Sequence, residues 1–238
     1  MLERIAGAIA PQSADCLVEI GPGEGALTRV LLERVPHLTA IEIDRDLCAR
    51  LAEEVPAGRL TLHCADALDF DFTTLPQGTR LVGNLPYNIS TPLLFRLAEV
   101  GERFRDLHFM LQREVVERMV AIHSTPDYGR LSVMLQTRFR MQKLFRVAPG
   151  AFRPPPKVES AVVRLQPLDP ANGVSVDQQV FADVVRRAFS ARRKTLRNAL
   201  ALAPSDFDAL GIDPRLRPEN LAPQDYLRIA RHLAGTGA

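Results

Sequence analysis

A loop with three glycines in five residues, Gly21-Pro22-Gly23-Glu24-Gly25, directly follows a short apolar stretch at residues 16–20. A helical pattern begins immediately after this loop, at residues 26–34. Glycines permit a tight turn and leave no side chain between the backbone and a bound ligand. A strand that leads through such a loop into a helix is typical of α/β folds. At this point a nucleotide-like cofactor site and a plain tight turn both remain possible.

Strand-like and helical patterns alternate beyond the loop, which predicts a parallel sheet with crossover helices. The predicted strands are residues 16–20, 38–43, 60–64, 81–83, 107–111, 132–139 and 159–165, and the predicted helices are residues 26–34, 44–54, 92–100, 113–122, 176–202 and 223–233. We expect the last two strands to form an antiparallel edge. Because no strand is predicted after residue 165, the chain divides into an α/β domain at 1–170 and a small all-helical domain at 171–238.

Carboxylates follow two of the predicted strands. Glu42 ends the second strand, where a carboxylate can accept both ribose hydroxyls of an adenosine. Asp66-Ala67 follows the third strand, where the acid can accept from an adenine amine, although a lone Asp is more often a helix cap or a turn residue. With the glycine loop, these residues predict an adenosine-containing cofactor. Ala26 stands where a dinucleotide motif has its third glycine, and these residues alone do not separate NAD from S-adenosylmethionine.

The tetrapeptide Asn84-Leu85-Pro86-Tyr87 follows the fourth predicted strand and indicates the reaction. An adenine amine is a poor nucleophile, so it needs positioning and acceptors that favour its more positive transition state. The Asn84 side-chain oxygen and the Leu85 carbonyl can be those acceptors, while Pro86 stiffens the turn. Tyr87 can stack on an extruded base. This combination favours methyl transfer from S-adenosylmethionine to a nucleobase amine over a strand-terminal turn with a core tyrosine.

Several segments together resemble the ribosomal RNA adenine dimethyltransferase family, in particular its bacterial small-subunit members. The main ones are V-E-I-G-P-G at 18–23, E-I-D-R-D-L at 42–47, N-L-P-Y-N-I-S-T-P at 84–92 and F-R-P-P-P-K-V at 152–158, with further similarity at 107–119, 128–136 and 192–198. The resemblance covers nearly the whole chain. It implies a Rossmann-like S-adenosylmethionine-dependent methyltransferase sheet followed by a helical RNA-binding domain.

The resemblance also implies an activity and a set of site residues. Members of the family dimethylate the exocyclic amines of two adjacent adenosines in the 3′-terminal hairpin loop of 16S ribosomal RNA, during small-subunit biogenesis. Phe152 would clamp the target base opposite Tyr87. The predicted cofactor contacts are Gly21, Pro22, Gly23, Glu42, Ile43, Asp66, Ala67 and Asn84, and the predicted catalytic residues are Asn84, Leu85, Pro86, Tyr87 and Phe152.

This chain departs from the family pattern at two places. Ahead of the matched region, members carry a basic segment that ends in G-Q-N-F-L and closes over the cofactor, whereas this chain begins at Met1 within a helical pattern. We therefore expect weakened cofactor retention, which an ordinary S-adenosylmethionine affinity in titration calorimetry would contradict. Glu24 stands where the family usually has an apolar residue, and we expect its charge to face solvent.

The net charge of +2 is unevenly distributed. Residues 186–197 contain six basic side chains and no acid, and residues 138–164 contain seven basic side chains with Glu159 as the one acid. Each stretch alone could be a solvated face, but together they fit a polyanion-binding surface beside the site. The predicted RNA-binding residues are Arg138, Arg140, Lys143, Arg146, Arg186, Arg187, Arg192, Arg193, Lys194 and Arg197. Arg193 and Arg197 are expected to share one helix face.

The cysteine, histidine and hydropathy patterns bear on disulfides, metal sites and membrane spans. Cys16, Cys48 and Cys64 lack C-x-x-C spacing and are expected to be buried small hydrophobes in a reducing cytoplasm. Five scattered histidines predict no metal site. No apolar run approaches the roughly 20 residues of a membrane span, and no secretory leader is visible. We therefore expect a cytoplasmic protein, and a monomer.

Three other functions compete with the main one. A 23S-directed adenine methyltransferase of the macrolide-resistance type shares the site, but the R-R-K-T-L-R-N run at 192–198 favours a small-subunit substrate. A non-catalytic ribosome-assembly factor would keep the basic surface but would not need Asn84 and Tyr87. A nicotinamide-dependent oxidoreductase would need a catalytic Tyr-Lys or His arrangement near the strand ends, and the sequence shows none.

Overall fold

The computed structural model of the chain describes residues 1–151, 158–169, 176–200 and 202–236. Its contacts divide the chain into two units. The first contains Met1–Val116 and Arg140–Pro167, and the second contains Glu117–Phe139 and Leu168–Ala238. By contacts the second unit therefore takes in residues 117–139, which lie ahead of the predicted domain boundary at residue 170.

A seven-stranded sheet forms the frame of the first unit. Its strands are β1 Leu17–Ile20, β2 Leu38–Glu42, β3 Leu60–Cys64, β4 Thr79–Asn84, β5 Phe104–Gln112, β6 Phe139–Val147 and β7 Ser160–Pro167. The strand order is β3-β2-β1-β4-β5-β7-β6. Strands β1 to β5 pair in parallel, and β7 pairs antiparallel with β5. The order reverses between β1 and β4, which opens a crevice at their carboxyl ends, where ligands bind in such sheets.

Helix α1 Leu2–Ile9 precedes β1. Between parallel strands, α2 Ala26–Leu32 joins β1 to β2, α3 Arg45–Glu54 joins β2 to β3, and α4 Ser90–Glu99 joins β4 to β5. Helix α5 Arg113–Val120 follows β5. The start of α3 is fixed by Asp44, whose carboxylate accepts hydrogen bonds from the backbone N–H groups of Asp46 and Leu47. Apolar side chains of α1 and α2, including Ile5, Ile9 and Leu31, are buried in one cluster with sheet residues. Burial of these apolar faces stabilises the sheet.

The second unit is helical around its own core. Its helices are α6 Arg130–Gln136, α7 Gln178–Ser190, α8 Leu196–Leu200, α9 Pro204–Leu210 and α10 Pro223–Thr236. The core contains Phe181, Phe207 and two buried tyrosines. Tyr128 donates its hydroxyl to the Leu221 carbonyl at 2.9 Å, and Tyr226 donates to the Pro218 carbonyl at 2.7 Å. Because both hydroxyls have acceptors, their hydrogen bonds offset the cost of taking these groups out of water. The predicted helical carboxy-terminal region is confirmed.

One predicted strand is wrong. Residues 132–139 form α6 and the first residue of β6, rather than one strand. The alternating pattern of residues 132–139 suggested a strand, but its apolar residues Val133 and Leu135 are buried in the helix. The Ser132 hydroxyl accepts the Gly129 N–H at 3.0 Å and donates to the Arg118 carbonyl at 2.5 Å, which fixes the helix start. A short helix buried on several sides has no polar face, so its pattern can imitate a strand.

A buried ionic network joins the amino-terminal ends of β4 and β5. The Arg80 guanidinium meets Asp106 through two contacts of 2.8 and 3.0 Å, and meets Asp15 at 2.7 Å. It also donates to the Ile9 carbonyl at 2.6 Å. Arg105, on the surface, contacts the second Asp15 oxygen at 2.8 Å. Asp15 and α1 are thereby tied to the sheet.

Gly83 lies where β4 runs closest to β1. A Cβ atom at this position would lie 2.4 Å from the Ile20 carbonyl oxygen. We expect Gly83→Ala to lower the free energy of unfolding by about 1–3 kcal/mol, because neither paired strand can move freely to relieve the overlap. Urea denaturation would measure it. Gly7→Ala, in α1 with no atom within 4 Å of the added methyl group, is the matched control and should not destabilise. Equal midpoints for both variants would contradict the close approach.

Candidate active site

The glycine loop between β1 and α2 takes a backbone path that needs glycine. Gly21, Gly23 and Gly25 have φ angles of 68°, 58° and 79°, a region that other residues rarely adopt. The Gly21 N–H donates to the Ile41 carbonyl at 2.9 Å, which holds the loop over the end of β2. Above Gly23 there is open space, since an added Cβ would meet no atom within 4 Å. The loop therefore presents bare backbone to an incoming ligand.

Glu42 anchors this loop from below. It ends β2, is only 7% exposed, and accepts the Gly23 N–H on one oxygen and the Asp44 N–H on the other, both at 3.0 Å. Each carboxylate oxygen keeps a second lone pair for a ligand hydroxyl. Ile43, next in the chain, is 64% exposed. A fixed carboxylate beside an exposed apolar side chain suits the ribose and the base of an adenosine.

Asp66 and Ala67 lie in the turn after β3. One Asp66 carboxylate oxygen accepts the Leu68 N–H at 2.8 Å, so Asp66 does act as a turn residue. Its other oxygen has no protein hydrogen-bond partner among the described residues. Ala67 is buried. The turn role and a ligand role are compatible, because they use different oxygens.

Glu24, in the glycine loop, faces solvent, as expected, with the Arg50 guanidinium 3.9 Å from its carboxylate.

The tetrapeptide combines one buried anchor with exposed polar and aromatic groups. Leu85 is buried, and its N–H donates to the Met110 carbonyl at 3.1 Å. Asn84 and Pro86 are exposed, and Tyr87 is 41% exposed. The alternative of a core tyrosine is therefore wrong. The Pro86 carbonyl accepts the N–H groups of two later residues, which closes the turn into α4.

The loop and the tetrapeptide are neighbours. Ile20 at the end of β1 pairs with Gly83 in β4, and a Cβ on Gly21 would lie 3.9 Å from the Asn84 carbonyl oxygen. Glu42 in turn pairs with the last residue of β3. The structure thus gathers the predicted residues of four strand ends at one sheet edge. Phe152 lies outside the described residues.

Glu19 is a site neighbour that the sequence interpretation missed. It lies in β1, is 2% exposed, and accepts the Thr28 hydroxyl at 2.7 Å. Burial raises the pKa of Glu19 to about 7, with Thr28 opposing the shift and the negative charge of Glu42 adding to it. An acid inside an otherwise apolar strand was the signal that could have identified it.

The predicted RNA-binding side chains differ in how firmly they are held. In the second unit, Arg186 and Arg187 pair with Asp183, and Arg192 donates to the Pro126 carbonyl. Within the described parts of the chain, no ion pair engages Arg193, Lys194 or Arg197, which are exposed. In the first unit, Arg140 and Arg146 are exposed, whereas Lys143 is half-buried. Arg138, in the second unit, is also half-buried.

The predicted continuous helix at 176–202 is wrong. Helix α7 ends at Ser190 and α8 begins at Leu196. Arg193 lies in the turn between them, so it does not share a helix face with Arg197. Arg193 and Lys194 are instead two consecutive, exposed residues of this turn.

The structure also bears on the predictions about cysteine burial, metal sites and membrane spans. Cys48 is buried as expected, but Cys16 is half-buried and Cys64 is exposed. In the ranges that the structure describes, no group of three His, Cys, Asp or Glu side chains could hold a metal ion. None of the helices described is both long enough and apolar enough to cross a membrane.

Comparisons with known proteins show which family and fold the chain shares. A profile of the family described as "Ribosomal RNA adenine dimethylase" matches residues 1–235. Ribosomal RNA small subunit methyltransferase A of Thiobacillus denitrificans is 61% identical over 236 residues, which cover 98% of this chain and 92% of that protein.

Two solved structures share the fold over nearly the whole chain. A dimethyladenosine transferase from Plasmodium falciparum has a TM-score of 0.84 at 26% identity, covering 99% of this chain and 96% of its own. The 23S rRNA methyltransferase ErmE has a TM-score of 0.71 at 25% identity, covering 98% and 96%. The predicted Rossmann-like methyltransferase fold is confirmed, and the chain belongs to the ribosomal RNA adenine dimethylase family.

Proposed function

We propose that this chain transfers methyl groups from S-adenosylmethionine to the exocyclic amines of two adjacent adenosines in the 3′-terminal hairpin loop of 16S ribosomal RNA. The observation that carries the proposal is the sheet edge at which the exposed Asn84 lies beside the glycine loop, with the exposed Tyr87 three residues further along the chain. Two kinds of ligand can meet there, one over the loop and one against the tetrapeptide. Methyl transfer between a cofactor and a base needs this juxtaposition.

The residues around the loop fit S-adenosylmethionine. The open space above Gly23 leaves room for the methionine part, and Glu42 would accept the ribose hydroxyls. Ile43 would pack on the adenine ring, and the second oxygen of Asp66 would accept its amine. When bound, S-adenosylmethionine supplies an electrophilic methyl group. Gly21, Pro22 and Ala67 would shape the pocket walls, as expected from the resemblance.

The tetrapeptide would position the target amine. The Asn84 side-chain oxygen and the Leu85 carbonyl would accept its two N–H groups, which favours the more positive nitrogen of the transition state. The bond from the Leu85 N–H to the Met110 carbonyl fixes the Asn84–Leu85 peptide, and the buried Leu85 side chain holds the residue whose carbonyl would accept. Tyr87 is exposed enough to stack on a base that has left its RNA loop. Phe152 would cover the other face of that base.

A small-subunit substrate is favoured over the 23S alternative. The relative named for the small subunit is 61% identical to this chain, whereas the 23S methyltransferase ErmE is 25% identical. Methylation of isolated, undermethylated small subunits, with large subunits as the competing substrate, tests the choice. Transfer to large subunits alone would reject it. Transfer to neither would favour the non-catalytic assembly factor.

We also propose the roles of the two domains, the oligomeric state and the cellular location. Residues 1–170 would bind the cofactor and carry out catalysis, and residues 171–238 would bind RNA. The chain would act as a monomer on the assembling subunit in the cytoplasm. The separate apolar core of the helical unit supports an independent binding role for it. Light scattering on the purified chain tests the monomer, and a dimer mass would reject it.

Basic residues of the helical unit would bind RNA phosphates. Charge reversal in Arg193→Glu/Lys194→Glu should weaken binding of the small-subunit RNA and reduce its salt slope by about 0.7–0.9 for each lost phosphate contact. These two side chains are exposed, and no ion pair among the described residues competes for them. Filter binding at several salt concentrations measures both quantities.

The matched control is Arg215→Glu/Arg228→Glu, which makes the same charge change on the same unit. These arginines already pair with Asp213 and Asp225. Its salt slope should stay close to that of the wild type. If both double variants changed the slope equally, the effect would be one of net charge, and the assignment of Arg193 and Lys194 would be wrong.

A further inference from the structure

Two cysteines flank Glu42, the residue predicted to bind the ribose. Cys64 is the last residue of β3 and the ladder partner of Glu42, and Cys48 lies in the first turns of α3. The Cys48 Sγ lies 3.6 Å from the Glu42 carbonyl oxygen. The same oxygen accepts the N–H of Ala65, the residue after Cys64, at 2.9 Å. The Cys48 side chain and the residue after Cys64 therefore contact the same backbone oxygen of Glu42, one from a helix and one from the end of a strand.

The two thiols have different environments. Cys48 is 3% exposed, whereas Cys64 is open to solvent. Burial, the neighbouring Cys64 thiol and the negative charge of Glu42 raise the pKa of Cys48 to about 12. Cys64 is thus the thiol that a solvent oxidant can reach, and Cys48 is placed to react second. The third cysteine, Cys16, instead accepts a hydrogen bond from Thr79 at 3.4 Å, at the amino-terminal end of β4.

We propose that Cys48 and Cys64 form a redox-active pair, whose disulfide weakens cofactor binding at Glu42. The pair itself stands on its own geometry, and only its effect on the cofactor rests on the proposed function. Intracellular disulfides of ordinary bacteria are usually transient and redox-sensing, which is the kind of role assigned here. An exposed thiol beside a resolving thiol is the usual arrangement of such sensors.

Hydrogen peroxide is the oxidant of the proposed reaction. The Cys64 thiolate attacks one peroxide oxygen, the O–O bond breaks, and a sulfenic acid and hydroxide form. The Cys48 sulfur then attacks the Cys64 sulfur, the S–O bond breaks, and the disulfide forms. The thiol protons combine with the two released oxygens as two waters. Overall the two thiols lose two electrons and the peroxide gains them.

Disulfide formation would disturb the anchor of the cofactor loop. The bond removes the Cys48 S–H that donates to the Glu42 carbonyl, and it ties α3 to β3. Glu42 holds the loop through Gly23 and the start of α3 through Asp44, so a shift at its backbone reaches both. The loss of one such hydrogen bond corresponds to an affinity about fivefold lower.

The experiment uses the full chain, treated with hydrogen peroxide and then alkylated under denaturing conditions. In intact mass spectra, the oxidised wild type should carry one alkylated cysteine and oxidised Cys16→Ser none, two fewer in each case than the same protein in its reduced state. Cys48→Ala and Cys64→Ser should not form this species. Titration calorimetry should show S-adenosylmethionine binding about fivefold weaker after oxidation, restored by dithiothreitol.

The outcomes separate the two proposals. Absence of an intramolecular disulfide in a folded wild type, or its formation in Cys64→Ser, would overturn the redox pair. An affinity that stays constant after complete disulfide formation would overturn the link to the cofactor site. If the reduced wild type fails to bind S-adenosylmethionine, the proposed function is wrong, and the mass spectra still decide whether the pair forms. Cys64→Ser changes an exposed residue, so misfolding is not expected to confuse the result.

Discussion

Asn84→Ala is expected to lower methyl transfer to small-subunit RNA by about 100- to 1000-fold, the usual effect of removing one group that stabilises a transition state. The reason is that its side-chain oxygen would be one of two acceptors for the reacting amine. The side chain is exposed at the end of β4, so its removal leaves no buried group unpaired. Transfer of tritium from labelled S-adenosylmethionine to isolated small subunits measures the rate at saturating cofactor.

Gln77→Ala is the matched control for this prediction. It removes an amide of similar size from an exposed position just before the same strand, at the end away from the site. It should keep the wild-type rate. Titration calorimetry on Asn84→Ala separates loss of chemistry from loss of cofactor. If Asn84→Ala and Gln77→Ala transferred tritium equally fast, the catalytic role of the tetrapeptide would be rejected.

Asp106→Ala is expected to lower the free energy of unfolding by about 3–5 kcal/mol, because it leaves the buried Arg80 guanidinium without its main partner. Arg80 and Asp106 are both almost fully buried, and their bidentate contact is surrounded by strands. Urea denaturation followed by circular dichroism measures the change. Arg105→Ala is the control. It removes only the exposed partner of Asp15 and should cost less than about 1 kcal/mol.

The same variant should show a pH signature. Burial acts to raise the pKa of Asp106, but the neighbouring His108 and Arg80 hold it well below its usual range. A carboxylate with a depressed folded pKa contributes stability above its unfolded pKa, about 3.9, and loses that contribution as the pH falls further. The stability difference between wild type and Asp106→Ala should therefore shrink below about pH 4. A constant difference down to pH 2 would contradict the ionic network.

Local patterns predicted the sheet well and the short helices poorly. Strands β1, β2 and β4 are each followed by a helix after a turn, and β3 lies between two turns, so their positions could be predicted within a few residues. Residues 130–139 have no such flanking signals in the sequence. Tertiary packing buries their alternating apolar residues in a helix. The break between α7 and α8 at 191–195 was also missed, because its basic residues are compatible with helix.

The candidate site was predicted mainly from strand ends, which parallel topology gathers at one edge. Gly23, Glu42 and Asn84 are far apart in sequence, and a known sheet order brings them together. Residues inside strands were harder to predict. Gly83 matters because of its close approach to Ile20 in the neighbouring strand, and the sequence of β4 alone does not reveal that neighbour. Glu19 matters because it binds Thr28 in α2, and its only signal in the sequence is an acid inside an apolar strand. The exposure of Cys64 likewise depends on β3 being the sheet edge.

Strand β4 carries the ionic anchor near its first residue and the proposed catalytic amide at its last. Arg80 and Asn84 are separated by about 13 Å of extended chain, at roughly 3.3 Å per residue. A substitution of Asn84 that abolishes catalysis therefore leaves the ionic contacts of Arg80 intact. Under the proposed function, Asn84→Ala would therefore remain stably folded and would still bind its RNA without methylating it. In a cell such a variant would compete with the wild-type chain for that RNA.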